Sequence, residues 1–277
     1  MPRLGVNAIV KLGIIGGGMM AEAIVSRLLE LGIYAPEEVL VSEPNADRQA
    51  LWRDRYGVAV TTNNAMIVNV AMVVLLAIKP QILPLVSADL EGVAIPQNGQ
   101  TIVSILAGTP LAALEAAFPD RAVVRVMPNT PATVGAGISA LAWGSQVSDG
   151  DREVARRILG AVGEVVEVSE AQLDAVTGLS GSGPGYVALI VEALTDGGVA
   201  VGLARPIAAK LAVQTVLGTG RLLAETGLHP AELKDRVTSP GGTTIAGIAT
   251  LEAAGLRSAL ISAVQAATAR SRELGQG

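Results

Sequence analysis

The chain has 277 residues, a length that suits one large domain or two ordinary ones. Half of them are hydrophobic, 16% are charged and the formal net charge is −5, which excludes a disordered chain and argues against a nucleic-acid partner, because phosphate grooves need clustered Lys and Arg. With no cysteine and one histidine, disulfides and thiolate catalysis are excluded and no metal site is expected.

The first ten residues hold one Arg and an apolar stretch interrupted by Asn7, with no small-residue cleavage site, so no signal peptide is expected. Lys11–Gly16 is a short apolar run ending in glycine and predicts a buried strand, and Ala21–Gly32 has helical spacing with glycine at its end. Val39–Ser42 predicts a second strand, Asn45–Tyr56 a polar helix, and Val70–Ile78 a strand stopped by Lys79-Pro80. The longest apolar run, Ala65–Ile78, is 14 residues with Asn69 inside it. A spanning helix needs about 20, so no membrane partner is expected and the protein is expected in the cytoplasm. Thr101–Leu106 and Ala122–Met127 continue the strand series. Short apolar strands alternating with amphipathic helices predict an α/β fold, a doubly wound parallel sheet apolar on both faces.

From Ala171 onward no strand is predicted, and the second part reads as all-α: Pro184–Val201, Arg205–Thr226, Gly242–Ala254 and Leu256–Leu274. The chain thus divides into residues 1–170 and 171–277. Helices apolar on several faces must be buried in something, and the small helical part predicts packing against a second copy, a homodimer.

Gly16-Gly17-Gly18-Met19-Met20-Ala21 fits G-x-G-x-x-A between a strand and a helix. In that pattern the first Gly makes the tight turn, the second lets backbone approach a pyrophosphate, and the third small residue lets helix and strand pack; the helix N-terminus attracts the phosphates. Glu43 stands where an acid hydrogen-bonds the ribose 2′-hydroxyl, yet Asn45 and Arg48 could receive a 2′-phosphate, and Glu43 could equally be an exposed loop carboxylate. The choice between NAD and NADP stays open. Lys79, at a strand end, could face phosphate or ribose, or be a solvated Lys before a chain-turning Pro.

Thr238–Thr244 places a Ser-Pro-Gly-Gly turn and two threonines at a helix start, an anion cradle suited to a carboxylate or simply a capped helix with its loop. Gly181–Tyr186 is a second glycine-rich stretch without a strand before it, suited to close helix crossing over the sheet or a partner. The helix after it, Tyr186–Glu192, has no lysine, and His229 reads as a loop residue. A ketone reductase needs a proton donor for the developing alkoxide. A protonated imine already carries its proton, so these absences fit an imine better than a ketone.

Ala77–Pro80, Met127–Pro131, Ala175–Pro184 and Leu233–Ile245 followed by Leu251-Glu252, in this order along the chain, resemble the motifs of pyrroline-5-carboxylate reductases, and the similarity runs from about Lys11 to Leu274. The resemblance implies a Rossmann domain followed by an intertwined dimerisation domain, with dimers able to build a larger ring. It implies NADPH or NADH over Gly16, Gly18, Met19, Met20 and Ala21, with Glu43 and Asn64 near the adenosine and Ala77, Lys79, Pro80, Ile105 and Ala107 further along. It implies a substrate carboxylate on Ser239, Gly242, Thr243 and Thr244, the Thr244 hydroxyl on the ring nitrogen as the catalytic contact, Glu170 lining the site, and a cradle facing the neighbouring chain's nicotinamide. Many NADPH-preferring members carry a small polar residue where this chain has Glu43. Two other readings are a reductase of a different cyclic imine carboxylate and a dinucleotide sensor without turnover.

Overall fold

The computed structural model describes residues 10–90, 92, 93, 96 and 99–275. The leading stretch in which no signal peptide is expected lies outside them, apart from Val10. In chain order, β1 (Leu12–Ile15) leads into α1 (Met19–Glu30), β2 (Val39–Ser42) into α2 (Ala46–Tyr56), and β3 (Ala59–Thr61) into α3 (Asn64–Val70). β4 (Val73–Leu76) leads into α4 (Leu83–Asp89) and β5 (Thr101–Ser104) into α5 (Leu111–Ala117). Then come β6 (Ala122–Met127), β7 (Gly137–Trp143), α6 (Asp149–Gly160) and β8 (Gly163–Glu167). Only helices follow: α7 (Leu173–Val176), a π-helical turn at Thr177–Gly181, α8 (Gly183–Ala200), α9 (Arg205–Thr226), α10 (Pro230–Arg236), α11 (Thr243–Ala253) and α12 (Leu256–Gly275).

The strands form one eight-stranded sheet in the order β3-β2-β1-β4-β5-β6-β7-β8. Successive strand residues point to opposite faces, and both faces are covered: Ile14, Val41, Leu75 and Val103 pack under α1, α2 and α6, whereas Ile15, Leu40, Val74 and Ile102 pack under α3, α4 and α5. Each fully buried aliphatic side chain there contributes about 1.5–3 kcal/mol.

Two features depart from the sequence expectation. The apolar run Val70–Ile78 is a strand only over Val73–Leu76, because Asn63 caps a preceding helix by accepting from the Met66 N–H at 3.2 Å, and Val70 is that helix's last residue. The sheet is also not wholly parallel: β7 runs antiparallel to β6. The link between them holds one 3-10 turn, Thr130–Val134, closed by Gly135 in the left-handed region at φ +72°, and is too short for a crossover helix.

The chain divides into two units, one running to Gly181 and resuming at Ala267, the other comprising Ser182–Ala266. In the first, the Ser271 hydroxyl of α12 donates to Asp174 at 2.7 Å. In the second, α8 and α9 pack tightly, and a Cβ on Gly198 would stand 3.0 Å from that of Ala208. This helical unit buries almost nothing: Ala208, Ala212 and Thr195 are its buried residues, while Leu189, Leu217 and Ile261 are each about 60% exposed. His229 lies in the loop before α10 and caps that helix, its Nδ1 accepting from the Ala231 N–H at 3.2 Å.

Candidate active site

The last paired residues of neighbouring strands line up across the sheet: Thr61 beside Ser42, Ser42 beside Ile15, Ile15 beside Leu76, Leu76 beside Ser104, and Ser104 beside Arg125. Every residue that the sequence places around a dinucleotide follows directly from this row. Gly16–Ala21 leave β1, Glu43 leaves β2, Asn64 opens the helix after β3, Ala77–Pro80 leave β4, and Ile105 and Ala107 leave β5. The strand order reverses between β1 and β4, and open α/β sheets bind ligands at the carboxyl ends beside such a reversal.

The glycine loop is shaped by three different requirements. Gly16 has φ +96°, and a Cβ there would lie 2.8 Å from the Ala77 carbonyl oxygen. A Cβ on Gly17 would lie 2.5 Å from the Trp52 indole nitrogen, so close backbone packing demands glycine. Gly18 has open space where a Cβ would be, and it stands at the N-cap of α1, where no side chain satisfies the first turn. The exposed N–H end of α1 therefore fits an anionic group, and a pyrophosphate is the anion this loop shape suits.

α2 holds that loop from beneath. The Gly17 carbonyl accepts from Arg48 Nε at 2.9 Å, Arg48 Nη2 at 2.6 Å and Trp52 Nε1 at 3.1 Å. Arg48 Nη1 also donates to Glu22 at 2.7 Å, and the Tyr56 hydroxyl donates to the other Glu22 oxygen at 2.8 Å. Burial raises the Glu22 carboxyl, but the hydrogen bonds from Tyr56 and Arg48 and the charges of Arg48 and Arg55 outweigh it and hold the group below the ordinary range. Burial and the bond to Glu22 push the Tyr56 phenol up. Trp52, Tyr56 and Glu22 were not singled out in the sequence, although Arg48, Trp52 and Tyr56 recur every four residues along one face of α2.

Glu43 is buried rather than an exposed loop carboxylate. It accepts from the Gly17 N–H at 2.9 Å and the Asn45 N–H at 2.8 Å. Asn64 accepts from the Ser42 hydroxyl at 2.7 Å, which ties the end of β2 to the start of α3. Glu170 reaches the same edge: one of its oxygens accepts from Arg125 Nη1 at 2.8 Å and from the Leu111 N–H at the start of α5 at 2.6 Å.

The Thr238–Thr244 stretch lies in the helical unit. Gly241, at φ +66°, and the bond from the Gly242 N–H to the Ser239 carbonyl at 3.0 Å turn the chain into α11. Gly242 is the N-cap of α11, and neither a capping side chain nor an acidic residue occupies the first turn. Thr243 is exposed and Thr244 half-buried in that turn. The sequence motif thus becomes an uncapped helix N-terminus rather than a capped one.

A doubly wound sheet with an open glycine loop at its point of reversal defines an NAD(P)-dependent oxidoreductase of the Rossmann class. Residues 11–108 match the family model described as NADP oxidoreductase coenzyme F420-dependent, and residues 170–274 match pyrroline-5-carboxylate reductase dimerisation. The chain is 56% identical to a pyrroline-5-carboxylate reductase of Synechocystis sp. over 96% of its own length and 99% of the relative's. Its structure is similar to that of a pyrroline-5-carboxylate reductase from Coxiella burnetii, with TM-score 0.90 and 36% identity over 96% of this chain and 98% of that one. It is also similar to the Plasmodium falciparum pyrroline carboxylate reductase with NADP bound, with TM-score 0.85 and 28% identity over 97% and 99% of the two chains. The chain belongs to the pyrroline-5-carboxylate reductase family.

Proposed function

We propose that this chain reduces 1-pyrroline-5-carboxylate to L-proline, the last step of proline biosynthesis, with NADPH or NADH. What supports the reading is a pair of uncapped, glycine-opened helix N-termini, one at Gly18 for a pyrophosphate and one at Gly242 for a carboxylate. When bound, the reduced nicotinamide supplies the hydride for the imine carbon. Gly16, Gly18, Met19, Met20 and Ala21 hold the dinucleotide phosphates, Glu43 and Asn64 the adenosine end, and Ala77, Lys79, Pro80, Ile105 and Ala107 the portion toward the nicotinamide. Backbone N–H groups of Thr243 and Thr244 hold the substrate carboxylate, and Ser239 and Gly242 form the turn that presents them. The Thr244 hydroxyl orients the ring nitrogen, which already carries its proton, so the remaining work is positioning. Glu170 borders the substrate through its hold on Arg125 and α5.

Residues 1–170 serve as the cofactor domain and residues 171–277 as the substrate and dimerisation domain. The exposed apolar helices pair two chains into a homodimer, which is the catalytic unit and can assemble further into a ring. The reading places the enzyme in the cytoplasm with its reduced cofactor.

The test follows NADH and NADPH absorbance separately, with and without pyrroline-5-carboxylate. Rapid substrate-dependent decay is expected, and Thr244→Ala should lower kcat about tenfold, roughly 1.4 kcal/mol of positioning. Decay only with a six-membered cyclic imine, or none from a protein that binds both nucleotides, would remove the assignment. Unchanged kinetics in Thr244→Ala would remove that residue's role.

A further inference from the structure

The segment after β2 also carries a choice between the two reduced cofactors, an inference that rests on the dinucleotide reading of the glycine loop. Glu43 is 8% exposed and held at every polar group. Its N–H donates to the Thr61 carbonyl at 3.0 Å, its carbonyl accepts from Gln49 at 2.7 Å, and its two carboxylate oxygens accept from Gly17 and Asn45. These partners are neutral amides. They fix the carboxylate beside the loop without cancelling its charge.

Arg48 is the one cation between Ser42 and Trp52, and neither Gly16–Met20 nor Thr61–Val70 contains another. It does not face outward as a phosphate partner would. Nε and Nη2 are spent on the Gly17 carbonyl and Nη1 on Glu22, with the side chain about a quarter exposed. Turning it out would remove two of the three donors on that carbonyl and leave Glu22 with Tyr56 and a longer contact to Arg55. A 2′-phosphate would bring a charge of about −1.5 to −2 to a segment holding Glu43 and Asp47 and no uncommitted cation. A 2′-hydroxyl would instead donate to a carboxylate already in place.

We propose that this chain selects NADH over NADPH, that Glu43 determines the selection by repelling the 2′-phosphate, and that Arg48 positions the glycine loop instead of binding that phosphate. Fluorescence titration of the substrate-free protein with each reduced nucleotide tests it. Wild type should bind NADH at least about tenfold tighter than NADPH. Glu43→Ser should bring the ratio of the two dissociation constants to one or below, and Glu43→Gln, which keeps an acceptor for the Gly17 N–H, should narrow it. Arg48→Gln should weaken both nucleotides alike and leave the ratio unchanged. Three results would overturn the inference: wild type binding NADPH as tightly as NADH, Glu43 variants retaining the wild-type ratio, or Arg48→Gln losing NADPH alone. Binding of neither nucleotide by folded wild type would instead remove the dinucleotide reading beneath it.

Discussion

Glu22 lies in the first turn of α1, where a carboxylate also favours the positive end of the helix, and it joins α1 to α2 through Arg48 and Tyr56. Its carboxyl is held below the ordinary value of 4.5 in the folded chain. The stabilisation it supplies is therefore complete above that value and is lost as pH falls through the lowered folded value. Glu22→Gln should lower Tm by about 2–4 °C at pH 7. The gap should shrink as pH falls below that ordinary carboxyl value, and melting curves at pH 7 and in acid check this. A gap of equal size at both would mean that Glu22 acts through packing. Charge partners of this kind are hard to see in a sequence: Glu22 and Arg48 are 26 positions apart, and only the docking of α2 on β1 and β2 joins them.

The neighbouring glycines of the β1–α1 turn should respond differently to a methyl group. Gly17→Ala drives a Cβ against the Trp52 indole and the Val41 side chain, so it should lower Tm clearly. Gly18→Ala meets nothing within 4 Å and should melt within about 1 °C of wild type while binding both nucleotides more weakly, because the added Cβ occupies the space over the α1 N-terminus. Equal effects on Tm, or full nucleotide affinity in Gly18→Ala, would contradict the division. Element positions in this half were legible wherever glycine, proline or an apolar period marked them, as for Val39–Ser42 and for Ala46–Tyr56, which Asn45 caps and left-handed Gly57 ends. They were not read in β3, β7, β8, α3, α4, α5 and α6. β8, Gly163–Glu167, has only two adjacent valines between two glutamates and sits at the sheet edge, and α3 shares one apolar run with β4.

Helices α8, α9 and α11 carry apolar side chains at about half exposure with no core of their own, an area no 80-odd-residue unit leaves open to water when folded alone. If these helices form the proposed homodimer, introducing carboxylates at two exposed apolar positions, Leu217→Glu with Ile261→Glu, should leave a monomer by light scattering and lower Tm by several degrees. A dimer of unchanged mass would place the interface on other surfaces. In wild type, Tm should rise with protein concentration, as mass action requires when association stabilises the fold. Among the described residues no single helix is long and apolar enough to cross a membrane.

By itself, the order of residues determined the α/β class, the helical second half, the glycine loop and the helix start at Gly242, because each depends on local rules: strand period, helix period, turn chemistry and cap position. Family motifs spread along the chain carried the chemistry in the same way. Tertiary structure alone decided the direction of β7, the partners of Glu43 and the inward turn of Arg48. Those depend on which surfaces meet after the sheet is assembled. An arginine three residues after an asparagine cap reads as a free cation in a sequence, and only the Gly17 carbonyl brought beneath it by β1–β2 pairing commits it elsewhere.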